Sequence, residues 1–196
     1  EGEDRSKAYC DAMKYFVIFG LFIFLAVMYF LPLLKYFVSP SYWPGLKVVP
    51  IMMAAELCFG VFFNLSLWYK LTDRTRWGMY LSLLCFALMF GFNVWFVPEI
   101  GIPDGYIGSA WAALASYFIV MTVSYFLGKK YYPLPYQTGR ILLYVLFAAL
   151  LYAAGEWIGT LFATWLTYLT CTILLCIYLG IVISAEHIPL PGLKRK

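Results

Sequence analysis

The run YFVIFGLFIFLAVMYFLPLL, residues 15–34, is twenty consecutive residues without a charged side chain. A helix of that length rises about 30 Å, the thickness of a bilayer's hydrocarbon core. Five more apolar stretches follow, at 48–68, 79–97, 107–127, 141–158 and 161–183, with lengths of 21, 19, 21, 18 and 23 residues. Transmembrane β-strands would instead alternate lipid-facing and lumen-facing residues over about 10 positions, and no stretch alternates. The sequence therefore predicts an all-α integral membrane protein with six transmembrane helices. Composition agrees, with 64% of the 196 residues apolar and 12% charged. A water-soluble domain carries about 25% charged residues, and a disordered chain is polar and poor in aromatics.

The few charges give an orientation. Six spans place both ends on one side. That side holds Arg5, Lys7, Lys14, Lys70, Arg74, Arg76, Lys129, Lys130, Arg140, Lys194, Arg195 and Lys196, whereas the other holds only Lys35 and Lys47. Cytoplasmic loops are the basic ones, so both termini are expected in the cytoplasm. The net charge of +4 is thus a topology signal and a contact for anionic membrane lipids; no basic surface remains for nucleic acid.

The segment EGEDRSKAYCDAMK, residues 1–14, lacks the basic start and cleavage site of a signal peptide and reads as a cytoplasmic lead-in. With Glu at position 1 and the first Met at 13, the chain is expected to be the C-terminal part of a longer one. Cys10, Cys58, Cys85, Cys171 and Cys176 have no metal-ligand spacing, and His187 is the sole histidine. No metal site, cofactor or disulfide is expected. Motifs of hydrolases, metalloproteases and nucleotide-binding loops are missing, so no catalytic residue is assigned and the chain is not expected to be an enzyme.

Polar residues inside spans are the remaining candidates. Glu56 is the one acid deep in a span. It must face a polar cavity, pair with a cation or hold a proton. Gly60 and Asn64 follow at steps of four on the same helix face, and Asn93 closes a polar stripe with Ser82, Cys85 and Met89. Glu56, Gly60, Asn64 and Asn93 are the candidates for cavity lining or ion coupling; interhelical hydrogen bonding is the structural alternative. Gly108, Ala112 and Ser116, spaced by four, form a small-residue stripe suited to close helix packing.

The runs NLSLWYKLTDRTRWGMYLS (64–82), GYIGSAWAALASYF (105–118) and SYFLGKKYYPLPY (124–136) resemble polysaccharide flippases of the Wzx type. These belong to the exporter superfamily that also contains the MATE transporters, and the wording is similar to lipopolysaccharide flippases of Bacteroides-type bacteria. The resemblance implies a MATE-like two-lobe parent of about fourteen helices that works by alternating access. Residues 15–136 would be four helices of the C-terminal lobe, 137–185 a terminal hairpin and 186–196 a cytoplasmic tail. It implies movement of undecaprenyl-pyrophosphate-linked oligosaccharide across the bacterial inner membrane, with an H+ or Na+ gradient coupled in some members. Partners would be the lipid-linked oligosaccharide, membrane lipids and the N-terminal part of the same protein. Family members hold the pyrophosphate in a cationic cavity, yet no Lys or Arg lies deep in these spans, so such cations would come from that other part. The competing readings are a cation-coupled multidrug exporter, a membrane enzyme acting on the lipid carrier, and a purely structural membrane subunit.

Overall fold

A computed structural model describes residues 2–100, 105–161 and 164–186, and these are helical apart from short connections. The chain is a multi-pass membrane protein with six helices long and apolar enough to cross a bilayer. In chain order the helices are α1 (Gly2–Leu34), α2 (Val49–Leu65), the five-residue α3 (Leu67–Leu71), α4 (Arg76–Ile100), α5 (Gly105–Tyr131), α6 (Thr138–Leu161) and α7 (Thr164–Glu186). Residues 101–104 of the acidic Pro/Gly loop, His187 and the rest of the expected tail lie outside the described residues.

Three features differ from a plain succession of spans. First, α1 runs unbroken through the lead-in, and Cys10, Met13 and Lys14 are buried. Second, the proline-punctuated loop after α1 is wound into two 3-10 segments, Lys35–Phe37 and Pro40–Val48. Pro40 sits at the start of the second segment and Pro50 in the first turn of α2, positions where a missing N–H costs no helical hydrogen bond. The Trp43 indole N–H donates to the carbonyls of Lys35 and Val38, both at 3.0 Å, and pins the loop. Third, the second span tightens at Ser66, whose N–H is shared between the carbonyls of Phe62 and Phe63 while its backbone stays right-handed helical, and the chain continues as the short α3. Between α3 and α4 the chain reverses through Asp73 at φ 53°, a left-handed conformation that Asp tolerates better than most residues.

The helices pack as two groups. α5 lies between α2 and α4, while α1, α6 and α7 contact one another; α1 and α2 make the one close helix–helix approach joining the groups among the described residues. In a bilayer, lipid tails are as apolar as leucine, so helices associate through tight packing and interhelical hydrogen bonds. Both are present. Val17, Leu21, Leu25 and Tyr29 of α1 interlock with Tyr144, Ala148 and Leu151 of α6 and with Cys171, Leu175, Tyr178 and Val182 of α7. Two tyrosines reach across this core to main-chain oxygens. Tyr29 donates to the Leu151 carbonyl at 2.6 Å and Tyr178 to that of Ile18 at 3.0 Å. Gly155 leaves the space in which the Tyr29 ring sits.

The other group relies on small residues. Gly108, Ala112 and Ser116 are buried on α5, and a Cβ at Gly108 would stand 2.8 Å from the Phe96 carbonyl oxygen of α4. Backbone, which cannot swing aside, is the obstacle there. Gly108→Leu should therefore cost about 1–3 kcal/mol through overpacking. Gly91→Ala, inside α4 with nothing within 4 Å, should not destabilise and should gain up to about 1 kcal/mol from the better helix former. Thermal unfolding of both variants in detergent checks the contrast; equal stability would mean that α4 and α5 do not depend on this approach.

Candidate functional site

The four cavity candidates occupy separate environments. Glu56 is exposed on α2 and makes no ion pair or hydrogen bond among the described residues. Gly60 is an interhelical contact, since a Cβ there would run into the Phe16 ring of α1. Asn64 turns its amide back to the Gly60 carbonyl at 3.0 Å. Asn93, on α4, donates to the Met89 carbonyl at 2.8 Å and accepts from the Ser109 hydroxyl of α5 at 2.6 Å. Asn93 thus hydrogen-bonds α4 to α5, and of the three residues on the α2 face only Glu56 is left without a partner. A lone carboxylate at this depth needs water, a proton or a counter-ion supplied from outside the chain.

At the basic end of the bundle, two of the sequence runs quoted above meet. Trp68 of α3 is 1% exposed. Its indole N–H donates to the Ser124 hydroxyl of α5 at 3.3 Å, and its ring stacks on Tyr131 at 5.7 Å and 15°. Trp77, at the start of α4, closes the group at 5.8 Å from Tyr131 and 6.2 Å from Trp68. The Arg74 guanidinium caps the Tyr131 ring at 4.6 Å, a cation–π contact of about 0.5–1 kcal/mol at an exposed site and more when desolvated. Gly128 makes room for Trp68, whose Cδ1 would lie 3.0 Å from an added Cβ. The left-handed Asp73 turn brings Arg74 back over the rings, its N–H bonded to the Tyr69 carbonyl at 2.9 Å. Residues 68–77 and 124–131 therefore form one aromatic clasp that fixes the ends of α3, α4 and α5.

The second polar feature was not singled out by sequence reasoning. Lys14 of α1 and Glu186 at the end of α7 form an ion pair at 2.5 Å, with their side chains 6% and 4% exposed. Asp11 pairs with the same ammonium at 3.3 Å, and the Tyr144 hydroxyl of α6 donates to Glu186 at 2.8 Å. In the sequence Lys14 is one of twelve topology cations and Glu186 merely the neighbour of His187. The available signal was parity: both flank apolar stretches at ends that six spans place on one side. The pair joins all three helices of its group.

Between the groups, α1, α2, α5 and α6 enclose an apolar groove of about 470 Å³. None of the four cavity candidates lines it. At its basic end Tyr136, in the α5–α6 connection, is pushed up to about 12 by burial, with smaller contributions from Cys10 and Tyr132. Its phenol thus stays neutral at physiological pH. The described residues hold no group of three His, Cys, Asp or Glu side chains able to bind a metal ion, and the five cysteines are free thiols.

Removing one member of a buried ion pair leaves the other uncompensated, which costs about 3–5 kcal/mol. Lys14→Met, which strands the Glu186 carboxylate, should lower stability by that order and Glu186→Leu by less, because Asp11 keeps the ammonium paired; the double variant should recover most of the larger loss. A double-mutant cycle on thermal unfolding measures this, and additive losses would show that the charges are not coupled. Compared with family models, with curated proteins and with solved structures, the chain has no match.

Proposed function

We propose that this chain is part of a flippase that carries undecaprenyl-pyrophosphate-linked oligosaccharide across the bacterial inner membrane for lipopolysaccharide or capsular polysaccharide synthesis. The observation that carries the reading is the aromatic clasp. Two of the runs on which the resemblance rests, WYKLTDRTRW and SYFLGKKYYPLPY, supply its parts: Trp68, Arg74 and Trp77 from one, Ser124, Gly128 and Tyr131 from the other. The clasp makes two of these runs one packed unit; the assignment to a flippase rests on their resemblance. In this reading the basic end faces the cytoplasm, and the chain supplies four helices of a C-terminal lobe and a terminal hairpin to a MATE-like parent. The pyrophosphate-binding cations come from the rest of that parent.

Alternating access needs two lobes moving around a central site. Residues 1–196 expressed alone should therefore fail to restore polymer export in a strain lacking its flippase, while the complete parent restores it. Export restored by the 196 residues would overturn the proposed division of labour.

A second reading, a cation-coupled multidrug exporter of the same superfamily, is favoured by one observation, the unpartnered Glu56 carboxylate on a spanning helix. Glu56→Gln in the complete transporter separates the questions. If the carboxylate carries a coupling H+ or Na+, the substitution lowers transport and flattens its pH or sodium dependence. Unchanged transport and unchanged dependence would remove Glu56 from the mechanism.

A further inference from the structure

The groove between the two helix groups has the shape and chemistry of a binding site that the proposed transport cycle does not use. Val17, Leu57, Val61, Met121, Phe126 and Leu142 supply much of its wall, and no charged side chain lines it. Its few hydroxyls cluster at the basic end, where Tyr125 and Thr138 hydrogen-bond to each other at 3.2 Å. A sugar or a pyrophosphate would leave its polar groups unpaired against such walls. A hydrocarbon chain would not.

Depth and access point the same way. Along α2 the groove runs from Leu65 to Ala54, about 16 Å of helix, which is half of the roughly 30 Å hydrocarbon core. On α2 it passes the middle of the 48–68 stretch, whereas on α5 and α6, where it opens, the lining stops at Phe118 and Val145, about one leaflet from the basic end. Deeper than the Tyr125–Thr138 bridge, α5 and α6 make no close backbone approach to each other, and Phe118 and Leu142 of the wall are more than half exposed, so the groove opens sideways there. Its volume falls within the range of about 300–1,000 Å³ usual for ligand sites.

The mouth carries charge. On α5 the wall is formed by Phe118, Met121, Thr122, Tyr125 and Phe126, and Lys129 lies one turn beyond Tyr125 and Phe126 on that face. Lys130 follows it, and both lysines are exposed with no carboxylate partner among the described residues. An apolar slot one leaflet deep, opening sideways to lipid beneath a pair of unneutralised ammonium groups, matches an anionic lipid in both halves of its structure. We propose that the groove holds one acyl chain of an anionic glycerophospholipid of the leaflet at the basic end, with the lipid phosphate between Lys129 and Lys130. The chain fills the space between α5 and α6 and sets their separation.

The test uses the purified protein in vesicles containing phosphatidylglycerol or phosphatidylcholine with a photoreactive acyl chain, followed by peptide mapping. Phosphatidylglycerol should label the α5 and α6 segments around Phe126 and Leu142 in preference to the lipid-facing side of α4 around Phe86 and Phe90. Phosphatidylcholine should label them more weakly. Lys129→Ala and Lys130→Ala, both exposed and so expected to fold, should each reduce phosphatidylglycerol labelling of the groove about fivefold, the effect of one basic residue at an anionic membrane surface. Met121→Trp, at a half-buried position of the wall, should narrow the slot and suppress groove labelling by both lipids without changing labelling of α4. Even labelling of groove and α4, or labelling indifferent to the lysine substitutions, would overturn the proposal. So would a photoreactive isoprenyl phosphate that displaces phosphatidylglycerol, since the occupant would then be an isoprenoid. Protection of the groove by a second copy, seen as chain-to-chain crosslinks through Phe126, would overturn it as well. None of these readouts requires transport, so failure here is distinct from failure of the flippase reading.

Discussion

A hydrocarbon solvent gives helices no hydrophobic reason to associate, and this chain meets that constraint in a different way in each of its two helix groups. Around α5, glycine, alanine and serine allow close backbone approach, most tightly at Gly108 against Phe96. Around α1, large side chains interdigitate and two tyrosine hydroxyls, from Tyr29 and Tyr178, bond main-chain oxygens of neighbouring helices. Interhelical hydrogen bonds in membranes average only about 0.6 kcal/mol, so neither device is strong alone. The groups hold because each closes its basic end with a further lock: an aromatic clasp for α3, α4 and α5, and a buried ion pair for α1, α6 and α7.

The two locks differ in physical character. The clasp is made of stacked rings, an indole hydrogen bond and a guanidinium on a ring face, all able to sit at the headgroup boundary where amphipathic aromatics are stable. The Lys14–Glu186 pair is shielded on both sides. Its gain over a hydrophobic pair is small, because desolvation offsets most of the attraction. What it supplies is register: an ammonium with two carboxylate partners and a carboxylate that also accepts from Tyr144 fix how far α7 slides along α1 and α6.

Much of the architecture is legible in the sequence because span length is dictated by bilayer thickness. Six apolar stretches became six long helices, though α1 runs on through the charged lead-in and α5 past Lys129 and Lys130. What remained hidden depended on rotation about each helix axis. Nearly every face of a spanning helix is apolar, so periodicity does not say which face meets protein and which meets lipid. Gly60 and Glu56 share a helical stripe by spacing, yet Gly60 packs on Phe16 while Glu56 is exposed. Spacing also suggested a polar face for Asn64 and Asn93, but it could not reveal that Asn64 bonds its own helix and Asn93 a neighbour. The tightened turn at Ser66 left no trace either, since the residues on either side of it are equally apolar.

The α1–α2 contact deserves its own mechanical reading. Gly20 of α1 admits Leu57 of α2, and Gly60 of α2 admits Phe16 of α1, so each helix offers a notch to a side chain of the other. This approach is as extensive as those among α1, α6 and α7, with Leu57 and Val61 of α2 packed on their core, so the notches belong to a full helix–helix seam. Tyr125 of α5 and Thr138 of α6, hydrogen-bonded at 3.2 Å, add a second tie between the groups at the basic end. Two missing β-carbons, at Gly20 and Gly60, thereby set how near α1 and α2 can come; a methyl at either would push the two helix groups apart and widen the groove that lies between them.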